Sequence, residues 1–249
     1  DGSQWEVLDP ARLPSDSVGH LDDVFAGPNG FLIVGSSDDR DRSLLVWHSV
    51  DGRAWQDTDL SGARGGSGVF AVGGEGWVAL TTEYPRDGES NVRVWMSTDG
   101  LRWTETETVS TPRPDLVDAQ EGTTPLVAHN GALVLAQSGG VGGSGRIFPT
   151  VWVSNDQGAT WTKHSVGGDY RFVGYVLHDV AEIDLGLVLV GRQDDRADSP
   201  GYFFHYSNNG EAWLHCWTNP HEFAAVERLG DSLIAYDSTT GDTYVWTQP

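Results

Sequence analysis

A ten-residue pattern recurs along the chain and limits its fold more than any other feature. Val46-Trp47-His48-Ser49-Val50-Asp51-Gly52-Arg53-Ala54-Trp55 returns as Val94-Trp95-Met96-Ser97-Thr98-Asp99-Gly100-Leu101-Arg102-Trp103. A third copy, Val151-Trp152-Val153-Ser154-Asn155-Asp156-Gln157-Gly158-Ala159-Thr160-Trp161, is one residue longer. The fourth, Phe204-His205-Tyr206-Ser207-Asn208-Asn209-Gly210-Glu211-Ala212-Trp213, carries Asn in place of the acid. The last residues, Val245-Trp246-Thr247-Gln248-Pro249, followed by the first, Asp1-Gly2-Ser3-Gln4-Trp5, read head to tail as a fifth. The pattern thus recurs about every fifty residues, a period at which repeats form solenoids, propellers or arrays.

The local physics of the pattern is that of a strand, a tight turn and a second strand. Asp or Asn bonds the backbone ahead of it, Gly takes a positive φ, and the closing Trp can fill the space between neighbouring sheets. Each repeat carries two earlier strand-like runs joined by a Gly-containing turn: 24–26 and 31–35, 69–72 and 77–81, 126–128 and 132–136, 179–181 and 187–191, 223–226 and 232–236. Four short strands per repeat predict one propeller blade each. The expected fold is therefore all-β, a single five-bladed β-propeller domain over 1–249 built of four-stranded antiparallel blades. In it the N-terminal strand around Trp5-Glu6-Val7-Leu8 joins the C-terminal blade and closes the ring, removing an exposed sheet edge.

Charge narrows the partners. With 36 acidic against 15 basic residues the formal net charge is −21, and Lys163 is the only lysine. Such a surface repels phosphate backbones and anionic lipid, so nucleic acid is excluded as a partner. No apolar run approaches the ~20 residues of a membrane span, which excludes membrane insertion. A single cysteine, Cys216, allows neither an internal disulfide nor a thiolate zinc site. The expected setting is extracellular or at a bacterial cell surface, as a monomer, with any export signal outside the sequence.

Ser49-x-Asp51-Gly52-x-x-Trp55 and its copies resemble the Asp-box, or bacterial neuraminidase repeat; Ser154-x-Asp156-x-Gly158-x-Thr160-Trp161 has its full form. Through the five repeats the resemblance covers essentially the whole chain. It implies a propeller with the boxes on the turn between third and fourth strands, away from the usual ligand face. Functionally it implies a range that includes sialidases, other glycoside hydrolases, sorting receptors and photosystem assembly factors. Sialidase chemistry itself is not expected. The family's Arg-Ile-Pro signature has only a displaced, interrupted counterpart in Arg146-Ile147-Phe148-Pro149, and family sialidases have six blades.

With the boxes on one face, chemistry is expected at the opposite loops. A small residue recurs on each innermost strand: Ala26, Ala71, Ala128, Ala181 and Ala224 or Ala225. Just ahead of it stand Asp22-Asp23, His178-Asp179 and His221-Glu222. Ring closure would make these three repeats neighbours at the channel mouth. Asp22, Asp23, Asp179 and Glu222 are the candidate catalytic carboxylates, because a pair flanking a glycosidic bond can act as acid and as base or nucleophile. His20, His178, His221, Tyr84, Tyr202, Arg192 and Arg196 are candidate ligand-binding residues. Tyr175 is a further aromatic near the same mouth. Alternatively, His20, His178 and His221 with a carboxylate could hold a divalent metal; no cofactor is otherwise required.

The competing reading is that acidic loops simply carry carboxylates to water. Arg192 and Arg196 can clamp an anion, yet Asp194-Asp195-Arg196 also neutralises itself. The glycine-rich run 139–145 precedes a strand and not a helix, so it lacks the helix N-terminus of a phosphate cradle. The leading expectation is a carbohydrate-active propeller that binds, and could hydrolyse, a glycan or polyhydroxylated ligand. The alternatives are a non-enzymatic module recognising a protein or glycan and a His-based metalloenzyme.

Overall fold

The computed structural model describes residue 13 and residues 18–38, 43–60, 68–73, 76–83, 91–106, 126–137, 150–166, 175–193, 202–219, 223–229, 232–237 and 240–247. Among these, every regular element is a β-strand and every pairing is antiparallel. The chain forms two compact units, Asp1–Thr106 and Glu107–Pro249.

The first unit holds two four-stranded sheets. One runs β1 (Val18–Gly27), β2 (Gly30–Ser37), β3 (Leu44–Ser49) and β4 (Gln56–Asp57); the next runs β5 (Gly68–Gly73), β6 (Gly76–Glu83), β7 (Asn91–Ser97) and β8 (Thr104–Thr106). Alternate residues of β2 and β3 (Leu32, Val34, Leu44 and Val46) are buried with Phe70, Trp77, Ala79 and Trp103 from the second sheet. Trp103 thus fills the space between the sheets, as expected of the closing Trp. Its ring meets Phe70 edge-on at 5.9 Å.

The second unit holds three sheets. The third sheet comprises β9 (Leu126–His129), β10 (Ala132–Gln137), β11 (Thr150–Ser154) and β12 (Thr162–Ser165). The fourth comprises β13 (Tyr175–Ile183), β14 (Gly186–Gln193), β15 (Tyr202–Ser207) and β16 (Leu214–Asn219). The fifth has three described strands, β17 (Phe223–Leu229), β18 (Ser232–Asp237) and β19 (Thr243–Thr247). Val134, Val151 and Val153 pack on Leu177, Leu187 and Leu189, with Trp213 against that cluster. Val188 and Val190 pack on Phe223, Val226 and Leu233. All ten expected runs lie within observed strands.

The fourfold motif folds in one way. In each copy the Ser hydroxyl oxygen accepts the Gly amide: Gly52 and Ser49 at 2.9 Å, Gly100 and Ser97 at 2.8 Å, Gly158 and Ser154 at 2.7 Å, Gly210 and Ser207 at 2.8 Å. The acid, or Asn209, accepts the amides that follow, from Arg53 and Ala54, Leu101 and Arg102, Thr160, and Glu211 and Ala212. In three copies the Trp indole then donates to the Gly carbonyl, at 2.8–3.2 Å. A turn that would leave several polar backbone groups unpaired is satisfied internally.

Register corrects two expectations. In the first four sheets the residue after the first hairpin pairs with the motif Ser: Phe31 with Ser49, Trp77 with Ser97, Leu133 with Ser154, Leu187 with Ser207. In the fifth sheet Leu233 pairs with Trp246 and Ala235 with Tyr244. Tyr244 therefore takes the place held by Trp47, Trp95, Trp152 and His205, and the split fifth copy is displaced by two residues. The cause is the compact turn before β19. There Asp237 donates its amide to the Asp242 carbonyl and Gly241, at φ 76°, donates to the Asp237 carbonyl. Turn geometry sets register, and an even shift keeps each side chain on its face. Tyr244 accordingly packs edge-on to Phe223 at 5.5 Å. The Trp5–Leu8 strand of the expected closure lies outside the described residues.

The recurring alanines also lack a common register. Counted from the hairpin, Ala26 and Ala128 face Phe31 and Leu133, whereas Ala71 and Ala181 face Val78 and Val188, one step earlier.

Candidate functional site

Each sheet has two unlike ends. The first hairpin and the motif turn share one, and they bind the adjacent sheet there: Asn29 Nδ2 donates to the Thr98 carbonyl at 2.5 Å. His129 Nε2 makes the equivalent approach to the Asn208 carbonyl at 3.3 Å. Asp22, Asp23 and Asp179 sit at the other end, where the first strands of the first, fourth and fifth sheets bulge. Register breaks between Leu21 and Asp23, between Leu177 and Asp179, and between Phe223 and Ala225. Asp22, His178 and Ala224 are thus the same bulged position, and Asp23, Asp179 and Ala225 the one after it. Bulges re-aim side chains at strand ends and are frequent beside active sites.

In the first unit the bulge gathers three polar groups. His20 Nδ1 lies 2.9 Å from Asp22 Oδ1, and both side chains are largely exposed. Asp23 Oδ1 accepts the Val24 amide at 2.7 Å. Partial desolvation holds the Asp23 carboxyl above the usual carboxylate range; the Val24 bond opposes this and the Asp22 charge adds to it. Gly35, opposite Leu21, is required here because a Cβ would strike the His20 carbonyl. At the position of Gly35 the second and third sheets carry Thr81 and Gln137. These accept the indoles of Trp95 and Trp152 at 2.9 and 3.1 Å. With no side chain at Gly35, the fully buried Trp47 Nε1 has no partner among the described residues. The first sheet forgoes a hydrogen bond to make room for its bulge.

In the second unit the same position does structural work. Asp179 Oδ1 accepts the Val180 amide at 2.8 Å and Oδ2 accepts the Val226 amide of β17 at 3.0 Å. His178 Nδ1 donates to the Phe223 carbonyl at 2.9 Å, which places a proton on Nδ1. His178 and Asp179 together hold the bulges of β13 and β17 side by side. Arg192 is exposed on β14 and pairs with Val176 and Tyr202, so backbone register brings Arg192, Tyr175 and Tyr202 to this same end of the fourth sheet. Tyr84, Arg196, His221 and Glu222 lie outside the described residues. Among the described residues no group of three or more His, Cys, Asp or Glu is placed to hold a metal ion.

Sequence reasoning missed a buried imidazole at the hairpin end of the second unit. His129, only 5 % exposed, has Nδ1 2.9 Å from Glu182 Oε1 on the neighbouring sheet. Asn130 Nδ2 lies 2.9 Å from Nε2. Asn130-Gly131 identifies the turn in the sequence, but only the sheet packing reveals Glu182 opposite.

No family model matches the sequence, and no curated protein matches it. Solved structures do. An α-L-arabinanase from Penicillium chrysogenum complexed with arabinobiose is 15% identical with TM-score 0.60, over 94% of this chain and 80% of that one. An α-L-arabinofuranosidase variant from Fusarium graminearum with an iminosugar inhibitor is 13% identical with TM-score 0.55, over 91% of this chain and 80% of its own. An N-acetylgalactosamine deacetylase from F. plautii complexed with blood group B trisaccharide is 16% identical with TM-score 0.51, again over 91% and 80%. At these identities the likeness establishes fold alone, and the chain shares the antiparallel all-β fold of β-propeller glycoside hydrolases.

Proposed function

We propose that this protein is a secreted, carbohydrate-active propeller that binds a glycan at the bulged ends of its innermost strands and cleaves it. The observation that carries this reading is the His20–Asp22–Asp23 group on β1. It sets an exposed carboxylate partnered by imidazole beside a carboxyl held above its usual range. Asp23 is the proton donor to the glycosidic oxygen, since partial burial holds its carboxyl above its ordinary value. Asp179 is a positioning residue whose oxygens fix two strands. The fold shared with the arabinanase and the arabinofuranosidase supports a glycan as ligand.

The test is turnover on a panel of aryl glycosides, arabinofuranosides included. Asp23→Asn is expected to abolish turnover without lowering the melting temperature, whereas Asp179→Asn lowers it. Full turnover by Asp23→Asn overturns the assignment. Glycan binding without turnover by the native protein would make it a recognition module instead.

The finer architecture belongs to the same proposal. The five sheets are blades of one Asp-box ring, and the N-terminal strand adds to β19, whose Val245 and Trp246 are 64 % and 59 % exposed at a sheet edge. Deleting residues 1–8 should lower the melting temperature by several degrees; an unchanged value removes that strand from the fold.

A further inference from the structure

The sequence contains three Asn-Gly steps, Asn29-Gly30, Asn130-Gly131 and Asn209-Gly210, and the structure places them in different chemical situations. We infer that Asn130-Gly131 is a site of spontaneous covalent modification, where the side-chain amide is lost through a succinimide. The Gly131 backbone nitrogen attacks Asn130 Cγ. The new N–Cγ bond forms as the Cγ–Nδ2 bond breaks, and Nδ2 leaves as ammonia after taking up the amide proton. Water then opens the ring at either carbonyl, leaving aspartate or isoaspartate at 130. No oxidant or further reactant is needed.

The nucleophile is the backbone nitrogen after the Asn, so its surroundings decide the rate. In Asn209-Gly210 that nitrogen donates to Ser207 Oγ at 2.8 Å, inside a buried turn where a Cβ on Gly210 would press into Val134 and Val153. Its proton is engaged and the backbone cannot swing onto the amide. The same Ser bond covers Gly52 and Gly100 in the Asp51-Gly52 and Asp99-Gly100 steps. In Asn29-Gly30 the side-chain amide donates to the Thr98 carbonyl, and Gly30 is wedged against the Ser49 carbonyl. Asn130-Gly131 has its side-chain amide against His129 Nε2, but its glycine and the space around it differ. Both residues are exposed, at φ 50° and 82°, in a two-residue hairpin turn. The turn is closed by pairing of His129 with Ala132, and nothing lies within 4 Å of a Cβ position on Gly131. The two central residues of such a turn contribute no amide to the ladder, so the Gly131 nitrogen takes no part in the pairing of β9 with β10.

The product lands on a buried contact. Asn130 Nδ2 lies 2.9 Å from Nε2 of His129, whose Nδ1 faces Glu182 on the next sheet. Conversion puts a carboxylate where the amide was, so the imidazole faces acidic groups at both nitrogens. Isoaspartate also lengthens the backbone of a two-residue turn, which fixes strand register.

The whole chain, held at mildly alkaline pH and body temperature, should be sampled over weeks by peptide mass spectrometry with fragmentation that separates isoaspartate. The expected result is a gain of about one dalton with isoaspartate at Asn130, several-fold faster than at Asn29 or Asn209. Gly131→Ala, which adds a branch beside the attacking nitrogen, should suppress it. Ser207→Ala, which removes the acceptor from Gly210, should bring Asn209 up towards the Asn130 rate. Equal conversion at all three sites, or an Asn130 that stays intact while Asn209 converts, overturns the assignment; neither readout needs the variants to fold.

Discussion

The strongest single-residue chemistry lies in the acids of the repeated turn, and its pH dependence has a definite sign. Asp51 is held below its ordinary value of 3.8 by the Arg53 and Ala54 amides, and Asp99 by those of Arg102 and Leu101. For Asp156 desolvation acts upward but is outweighed by the Thr160 hydroxyl and amide. A carboxyl depressed by folding contributes stability that is present above its unfolded value and lost as pH falls through the folded one. Asp23 is raised, so ionising it costs stability as pH rises above 3.8 towards its folded value. Urea midpoints measured against pH should therefore show Asp51→Asn and Asp99→Asn weaker than the native chain at neutral pH, the gap closing in strong acid. Asp23→Asn should be the stronger protein at neutral pH. Asn209 shows what the neutral residue loses: its bonds to Glu211 and Ala212 are 3.0 and 3.4 Å, against 2.8 and 2.9 Å at Asp99. It also donates Nδ2 to Glu211 Oε2 at 3.3 Å, a contact that an aspartate would turn into repulsion. Asn209→Asp alone is thus expected to be near neutral, and with Glu211→Gln to stabilise. Denaturant titration of all four proteins should give a coupling of about 0.5 kcal/mol, and additivity would dismiss the Glu211 argument.

At the scale of strands and turns, neighbouring sheets are coupled through the motif Gly as much as through the Trp. Gly100 has φ 75°, and a Cβ there would overlap the His48 ring of the preceding sheet; Gly210 stands likewise against Val134 and Val153. Gly131 has a similar φ of 82° with open space around it. Gly131→Ala should cost only the left-handed strain of about 1–2 kcal/mol, and Gly100→Ala clearly more. Equal losses in thermal denaturation would show that close packing at Gly100 adds nothing. The contrast also marks what was legible beforehand. The fourfold motif identified the strand–turn–strand unit, because its Ser, Asp and Gly bond one another within ten residues. The fifth copy was misplaced by two residues, since register there is set by the Asp237–Asp242 turn and by Tyr244 meeting Phe223, neither of which alters composition. Asp23 and Asp179 read alike as acids ahead of an inner strand. Only the pairing of strands shows that both follow a bulge, and only packing distinguishes a carboxyl beside Asp22 from one holding two backbone amides. His129 and Glu182, 53 residues apart, had no sequence signal linking them.

For the whole chain the decisive quantity is the charge of −21, and arginine–carboxylate pairs among the described residues lie at the surface. Arg93 with Glu105 and Arg228 with Asp184 have side chains between 36 % and 51 % exposed, a setting in which a pair is worth at most about 1 kcal/mol. Screening these pairs therefore costs little. Self-repulsion among the remaining acids opposes the compact state over distances longer than any pair, and it is screened over about 10 Å at 0.1 M salt. The acids of the repeated turn are not part of that repulsion in the same sense, because each spends its charge on amides less than 3.2 Å away, which salt does not displace. The balance favours repulsion, so the melting temperature should rise with sodium chloride from low to near-molar concentration, most steeply at the dilute end where the screening length changes fastest. Scanning calorimetry across that series decides it. A melting temperature that falls with salt would mean that attractive pairs dominate. A flat one would mean that the acids already lie too far apart to repel, and the net charge would then bear on the protein's partners and not on its stability.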